Sequence, residues 1–399
     1  MQKISARSCG CSVVLMTALI IPPAGAGAAE PYLPANEGVV LERLPWRTDT
    51  DTRRLSSLRK AVSERPGDVA AAVALVRHTF LLAVAHGDSR WAGMGEAALK
   101  PWWDSADVAV DVLYYRALLK QYRHEFDGAL ADLALAAAAD PKRADILSWR
   151  VAVHLVRADI DAARADCDKM SLGGNSGDLR ECRAWIDGVS GNARRAYEEF
   201  TRILAAESKG SAGTRRWLLL QLAQNALRLG RKADAEAHLR TALAIAEADH
   251  ATLVALADFL LDEGRDREVE ALLVPQYQSD SALLRRALAR KKLRDPRWMD
   301  DATRLGERYA AARLRGEALR ESDEARLRLE LLDQPAAALA LAQSNWRVQR
   351  ETVDARIFLE AALAGRRPKA AEPVLRWLER TRIEEPRLIE LARKLRAQG

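Results

Sequence analysis

The sequence predicts an all-α protein built as an α-solenoid, a stack of antiparallel helix pairs. Two observations carry that reading. The composition is 49% apolar and only 6% aromatic, with alanine and leucine dominating. That suits helices and lacks the β-branched and aromatic enrichment of sheets. The second observation is a recurrence. Over Asp111 to Ile160, the residues Ala117, Phe126, Ala129, Leu133, Ala136 and Pro141 fall in an order that returns, with Phe126 and Ala129 recurring as Ile160 and Ala163. A period near 34 residues marks repeated helical hairpins, each too small to bury its own apolar face.

The repeat has a physical logic. Two antiparallel helices that cross closely need a small side chain at the crossing, and alanine supplies it. Branched and aromatic residues at intervening places fill the seam with the next hairpin. Proline near the end of a unit cannot continue the helix and forces the turn. Crossing alanines in first helices are Ala117, Ala184, Ala223, Ala257 and Ala287. Small residues at the twentieth place are Ala129, Ala163, Ala196, Ala235 and Val269, separated by 34, 33, 39 and 34 residues on subtraction. Gly191, Gly230 and Gly264 stand at the turn inside each hairpin, and His124 takes that place in the unit beginning at Val110.

This pattern resembles the tetratricopeptide repeat family, most clearly over residues 110–275. Lys232 at an aromatic place and the missing first-helix tryptophans depart from it. The resemblance implies a right-handed superhelix whose concave groove, lined by first helices, binds protein or peptide. The family's inward places fall here on Asp111, Tyr114, Gln121, Glu181, Trp185, Trp217, Gln224 and Asp258. Aromatics among polar groups suit peptide capture. The bland alternative is that Trp185 and Trp217 pack between units. The chaperone-binding relatives clamp a terminal carboxylate with lysine at the fifth place and asparagine at the ninth. Tyr114, Glu181 and Leu220 hold the fifth place here, and Leu118, Trp185 and Gln224 the ninth, so that clamp is absent.

Taken in order, residues 1–28 read as a bacterial export signal. Lys3 and Arg7 precede the apolar run Val13–Ile21, and small residues Ala24–Ala29 follow. The run is too short to span a bilayer, which needs about 20 residues. Cleavage after Ala26 or Ala28 is expected, with a periplasmic location, and no later segment reads as a membrane span. Residues 29–52, with Pro31, Pro34 and Pro45, read as an extended lead-in. Residues 53–109 read as degenerate helical repeats, 110–294 as the repeats proper, and 295–399 as divergent helical repeats. Hairpins are expected to start near Val110, Ala144, Gly177, Arg216, His250 and Asp280, and Ser208–Gly213 reads as an inserted loop.

Without its signal the chain keeps 60 basic against 56 acidic residues, a net +4. That excess is small, and with export it argues against nucleic acid as partner. Cys167 and Cys182 then remain. They lie on adjacent helices of successive units and can form a disulfide in an oxidising compartment; the alternative is two buried thiols.

No catalytic signature emerges. His124-Glu125-Phe126-Asp127-Gly128 lacks the second histidine of a zinc-protease helix, and Gly174-Asn175-Ser176-Gly177 lacks the spacing of a nucleophile elbow. The six histidines are scattered; His78 and His154 are expected on helix surfaces and His124 in a solvated turn. No metal or cofactor is expected. The basic stretch Leu284–Arg294, LRRALARKKLR, could meet acidic lipid or protein, but a solvated helix face is the stronger expectation. The functional expectation is a non-catalytic periplasmic adaptor that binds a protein or peptide. The alternatives are a scaffold for outer-membrane assembly or polysaccharide export, and a helical cell-wall enzyme. The last would need a compact domain of about 100 residues without helical rhythm, which the chain does not offer.

Overall fold

Hairpin after hairpin, the chain repeats one turn of backbone. The computed structural model describes residues 50–398 apart from 174–175, 208–209, 246–248, 274–278 and 315–320. The expected export signal and most of the lead-in lie outside the described residues. Among the described residues every regular element is helical. The first part comprises α1 (Thr50–Glu64), α2 (Val69–His86), α3 (Ser89–Leu99), α4 (Val110–Tyr122), α5 (Phe126–Ala139), α6 (Ala144–Val156) and α7 (Ile160–Lys169). The middle comprises α8 (Ser176–Val189), α9 (Ala193–Ala206), α10 (Ala212–Arg228), α11 (Lys232–Ile245), α12 (His250–Asp262) and α13 (Asp266–Leu272). The last part comprises α14 (Asp280–Lys292), α15 (Trp298–Leu314), α16 (Glu321–Arg326), α17 (Pro335–Val348), α18 (Thr352–Ala364), α19 (Glu372–Thr381) and α20 (Pro386–Arg396). From α2 to α17 the helices pack in antiparallel sequence-adjacent pairs, α2 with α3, α4 with α5, and so on, while α18 packs chiefly on α17 and α20.

The turn inside each pair has one residue in the left-handed region. Gly87, Gly191, Gly230 and Gly264 hold it at φ +61° to +82°, where a missing Cβ removes the steric cost. His124, Ala158, Arg294, Asp333 and Arg366 hold it too, at φ +52° to +62°. The same bond follows in each case, an amide one residue past the left-handed position returning to the last turn of the first helix. Glu125 N reaches Lys120 O at 2.9 Å, Asp159 N reaches His154 O at 2.8 Å, and Arg231 N reaches Ala226 O at 2.8 Å. The turn recurs at Arg294, Asp333 and Arg366, so the divergent stretch after residue 295 keeps the hairpin geometry.

Helix starts are set by side-chain caps. Asp68 accepts from Ala71 N, Asp249 from Thr252 N and Ser279 from Ala282 N. Ser211 accepts from Thr214 N, which starts α10 at Ala212, four residues before the expected start. Proline opens α17 and α20, where its missing N–H costs nothing. The second helix of the hairpin begun by α16 follows a π-helical turn, Leu327–Leu331.

All five crossing alanines are buried, as are Ala129, Ala163, Ala196, Ala235 and Val269 at the twentieth place. Larger side chains fill between them: Leu119, Leu133, Phe200, Leu222, Leu256 and Phe358 are among the most deeply buried. The helix α2 is 18 residues long and apolar enough, by length and composition, to cross a membrane, which corrects the expectation of no such segment. Here it packs against α1, α3 and α4 as a solenoid helix. The solenoid also meets itself. Helix α12 packs on α2, five hairpins away, and a Cβ on Gly87 would fall 2.5 Å from the His250 ring.

Two glycines at the same turn place offer a test. Gly230→Ala should cost about 1 kcal/mol for the left-handed backbone alone, since nothing lies within 4 Å of its Cβ. Gly191→Ala should cost more, because its Cβ would lie 2.9 Å from both Cβ and O of Arg382. Urea titrations of the two variants give the order; equal losses would mean that the Arg382 contact is absent in solution.

Candidate functional site

First helices carry every residue expected to face a partner, and the structure gathers these residues into three groups. In the first, Asp111 and Tyr114 on α4 share Arg143, at the start of α6. Arg143 Nη1 donates to Asp111 Oδ1 at 2.6 Å, and its guanidinium lies 4.9 Å from the centre of the Tyr114 ring. Tyr114 is buried, and burial, with Asp145 next, pushes its hydroxyl well above the usual phenol range. Gln121, the next-to-last residue of α4, is half-buried.

The second group lies on α8 and α10. Trp185 and Trp217 meet edge to face, their centroids 5.7 Å apart at 85°, and Trp217 meets Phe200 in the same way at 5.7 Å. Both tryptophans are partly exposed while packing on the buried cluster of Ala184, Ala196, Phe200 and Leu222. They therefore join successive hairpins and still offer ring surface. Glu181, one turn before Trp185, is half-buried. Burial first, then the charges of Asp178 and Glu207, push its carboxyl up to about 6. Gln224, further along α10, is exposed.

The third group closes on itself. Asp258 on α12 accepts from Arg285 Nη2 at 2.9 Å and from Arg326 Nη1. Arg285 also donates to Asp323 Oδ1 at 2.8 Å, and Asp323 accepts from the Ser281 hydroxyl at 2.5 Å. Burial opposes its charge, but Arg285 and Arg326 hold the Asp258 carboxyl far below the usual carboxylate range. Asp258 is thus neutralised within the chain, between α12, α14 and α16.

This group corrects the reading of Leu284–Arg294 as a solvated face. Arg285, Arg286 and Arg290 are buried. Arg286 and Arg290 donate to Asp301 at 3.3 and 2.7 Å. Lys291 Nζ donates to the carbonyls of Glu330 and Leu331 at 2.6 and 2.9 Å, and Lys292 Nζ to that of Leu261 at 3.0 Å. Arg285, Arg286, Arg290 and Lys291 hold neighbouring helices together, while Lys292 and Arg294 stay exposed. The histidines need a correction as well. His78 is buried, with Nε2 3.2 Å from Asp51 O, and His154 is largely covered, 3.4 Å from Asp166 Oδ2. His124 stacks on Phe126 at 5.6 Å. Among the described residues, no group of three or more His, Cys, Asp or Glu could hold a metal ion.

Sequence reasoning missed a recurrent ion clamp inside the hairpins. Arg116 donates through Nε and Nη2 to Asp132 at 2.8 and 2.6 Å, and Lys120 adds a third bond at 2.8 Å. Arg116 Nη1 also reaches the carbonyls of Trp102, Trp103 and Ser105, which ties the preceding linker down. One hairpin on, Asp166 takes Arg150 at 2.7 Å and Lys169 at 2.8 Å, beside His154. Burial resists ionisation there, but the bonds from His154, Arg150 and Lys169 hold the Asp166 carboxyl far below its usual range. Arg286, Arg290 and Asp301 repeat the scheme in the α14–α15 hairpin. The signal was in the spacing. Counted from Val110, Ala144 and Asp280, a base stands at the seventh and eleventh places and an acid at the twenty-third, or the twenty-second in the last.

Cys167 on α7 and Cys182 on α8 lie with Cα atoms 5.9 Å apart and are joined through sulfur.

No family model matches the chain, and no curated protein matches it. Solved structures do. The crystal structure of the APC/C hetero-tetramer Cut9–Hcn1 aligns with a TM-score of 0.51 at 13% identity, over 87% of this chain and 67% of that one. A Rap protein complexed with competence and sporulation factor aligns at 0.47 and 14% identity, over 86% and 92%. A tetratricopeptide repeat protein from Parabacteroides merdae aligns at 0.32 and 12% identity, over 80% and 98%. At such identities the likeness concerns fold alone. Together with the hairpin turns and buried alanines, the Cut9–Hcn1 alignment makes this chain an α-solenoid with a tetratricopeptide-repeat-like fold.

The clamps are testable by deletion of one partner. Asp132→Ala leaves Arg116 and Lys120 without their carboxylate inside the hairpin and should cost about 3–5 kcal/mol. Asp161→Ala removes a partner whose side chain is 96% exposed, and the change should stay within about 0.5 kcal/mol. Urea denaturation near neutral pH compares them, and similar losses would reduce the clamp to a surface pair.

Proposed function

We propose that the protein is an exported adaptor that binds a protein or peptide partner on the inner face of its first helices and has no chemistry of its own. The observation that carries this reading is the α8–α10 patch. Trp185 and Trp217 stay partly exposed, and one turn before Trp185 stands Glu181, a half-buried carboxylate with Asp178 and Glu207 as acidic neighbours. Rigid aromatics next to a carboxylate are what a groove needs to bury an extended segment and fix its register. The matching Cut9–Hcn1 structure is a hetero-tetramer, so a comparable fold occurs there in a protein assembly.

Export to the periplasm rests on Lys3, Arg7 and the apolar run before Ala24–Ala29. The pairing of Cys167 with Cys182 fits an oxidising compartment. N-terminal sequencing of the protein from a periplasmic fraction tests the location; an uncut Met1 in the cytoplasm would refute it. On this reading the partner is neither nucleic acid nor a bilayer. A scaffold in outer-membrane assembly or polymer export would be the same device with a different partner. A cell-wall enzyme would turn over peptidoglycan fragments, which the adaptor should leave intact.

Binding is tested through the aromatic pair. Trp217→Ala should reduce recovery of a crosslinked periplasmic partner at least roughly tenfold, the scale of a binding hot spot, with far-UV circular dichroism unchanged. Undiminished recovery would remove the α8–α10 patch from the site.

A further inference from the structure

On the first helices α4, α6, α12 and α14 every acid is paired within the chain. Asp111 and Asp145 share Arg143, at 2.6 and 2.8 Å. Asp258 takes Arg285 at 2.9 Å, Asp262 takes Arg387 at 2.6 Å, and Asp280 takes Arg308 at 2.7 Å. Helix α10 carries no acid. On α8, Asp187 takes Arg195 at 3.2 Å, but Glu181 stands apart. Among the described residues its carboxylate has no hydrogen bond and no cation within ion-pair distance, although it is half-buried. The bases nearest in sequence, and those at the start of the next first helix, are committed elsewhere. Arg180 pairs with Glu199 at 2.6 Å and Arg183 with Asp168 at 2.9 Å. Arg216 pairs with Asp249 at 3.1 Å, and Arg215 donates to the Glu207 carbonyl at 3.4 Å.

The residues beside Glu181 decide what its counterpart can be. Glu181 and Trp185 stand four apart and so share a face of α8. Trp185 meets Trp217 edge to face at 5.7 Å, and neither ring is fully covered. A neutral segment laid over the two rings would also strip water from the carboxylate and give nothing in return, which is unfavourable. An acidic segment would add repulsion. A lysine or arginine meets both demands: its methylenes lie along the rings, and its charged head reaches the carboxylate beside them.

We propose that the α8–α10 patch selects its partner by a basic side chain, lysine or arginine, whose stem packs on Trp185 and Trp217 and whose charge pairs with Glu181. The inference rests on the reading of this patch as the adaptor's binding surface, and it names the chemistry of the partner: a segment carrying a base. It also reverses the carboxylate clamp that the chain lacks, since an acid at the fifth place of α8 here receives a base. The tryptophans supply contact area. The carboxylate supplies the choice between segments, because charge pairing across an interface governs specificity more than affinity.

Panning a phage-displayed library of random peptides on the full chain tests this. Peptides whose capture is lost with Trp217→Ala should share a lysine or arginine. Replacing that base by a neutral analogue, norleucine for lysine or citrulline for arginine, should weaken binding to the wild-type chain at least roughly tenfold. The variant Glu181→Gln, its far-UV circular dichroism unchanged, should bind the two peptides alike. Trp217-dependent peptides without a base, or a base that matters equally to Glu181→Gln, would overturn the charge selection and leave the adaptor reading standing. If no captured peptide depended on Trp217, both would fall.

Discussion

Close crossing of two helices at a single small side chain is the contact on which this architecture rests. With alanine at Ala117, Ala223 or Ala257 the backbones approach until the partner helix covers the methyl completely. The distance between helix axes is set by the side chains at the crossing. Once it is short, the leucines and phenylalanines on either side point into the seam with the next hairpin, and each hairpin is completed by its neighbour. The left-handed turn serves the same end. It reverses the chain within three residues, so the second helix starts beside the first.

Charged residues then specify what apolar packing leaves open. An alanine–leucine seam is tolerant, because a shift of one helical turn still places apolar atoms against apolar atoms. A buried arginine is not tolerant. Arg116 must find Asp132, and Arg286 and Arg290 must find Asp301, or a charge is left uncompensated in the interior. Such pairs contribute little net stability, since desolvation offsets attraction. Their effect is on register: each clamp fixes the second helix along the first. That Arg116 also ties down the carbonyls of Trp102, Trp103 and Ser105 extends the control to the linker before the hairpin.

Fold type was legible because the crossing alanines and turn glycines are read directly from side-chain identity. Where the turn residue is Arg294, Asp333 or Arg366, the backbone adopts the same left-handed conformation without the glycine that would flag it. That is why the pattern faded after residue 295 although the hairpins continue. The basic helix was misread for a different reason. Six basic residues within Leu284–Arg294 suggest solvent, and the acids that pair with its buried arginines lie on other helices: Asp258, Asp301 and Asp323. Pattern within one helix cannot show a partner on the next. The clamp at the seventh, eleventh and twenty-third places was visible in principle, since it repeats in step with the hairpins. It is polar, and attention to apolar periodicity passes over it.

Unequal occupation of the inner face follows from these two kinds of contact. On α12 the inward place is taken up by the chain's own charges: Asp258 is held by Arg285 and Arg326, and Arg285 by Asp323, which leaves little for a visitor. Along α8 and α10 the inward places hold Trp185, Trp217 and Glu181, whose surfaces are only half covered. A groove read from repeat places alone would treat both stretches alike. Physical accounting separates them, because a saturated ion cluster must lose bonds before it can gain a ligand, whereas an exposed ring edge and a carboxylate among carboxylates only gain. On the proposed reading, the α8–α10 stretch is therefore the better suited to a partner, while the ion cluster of α12, α14 and α16 joins hairpins of the solenoid to one another.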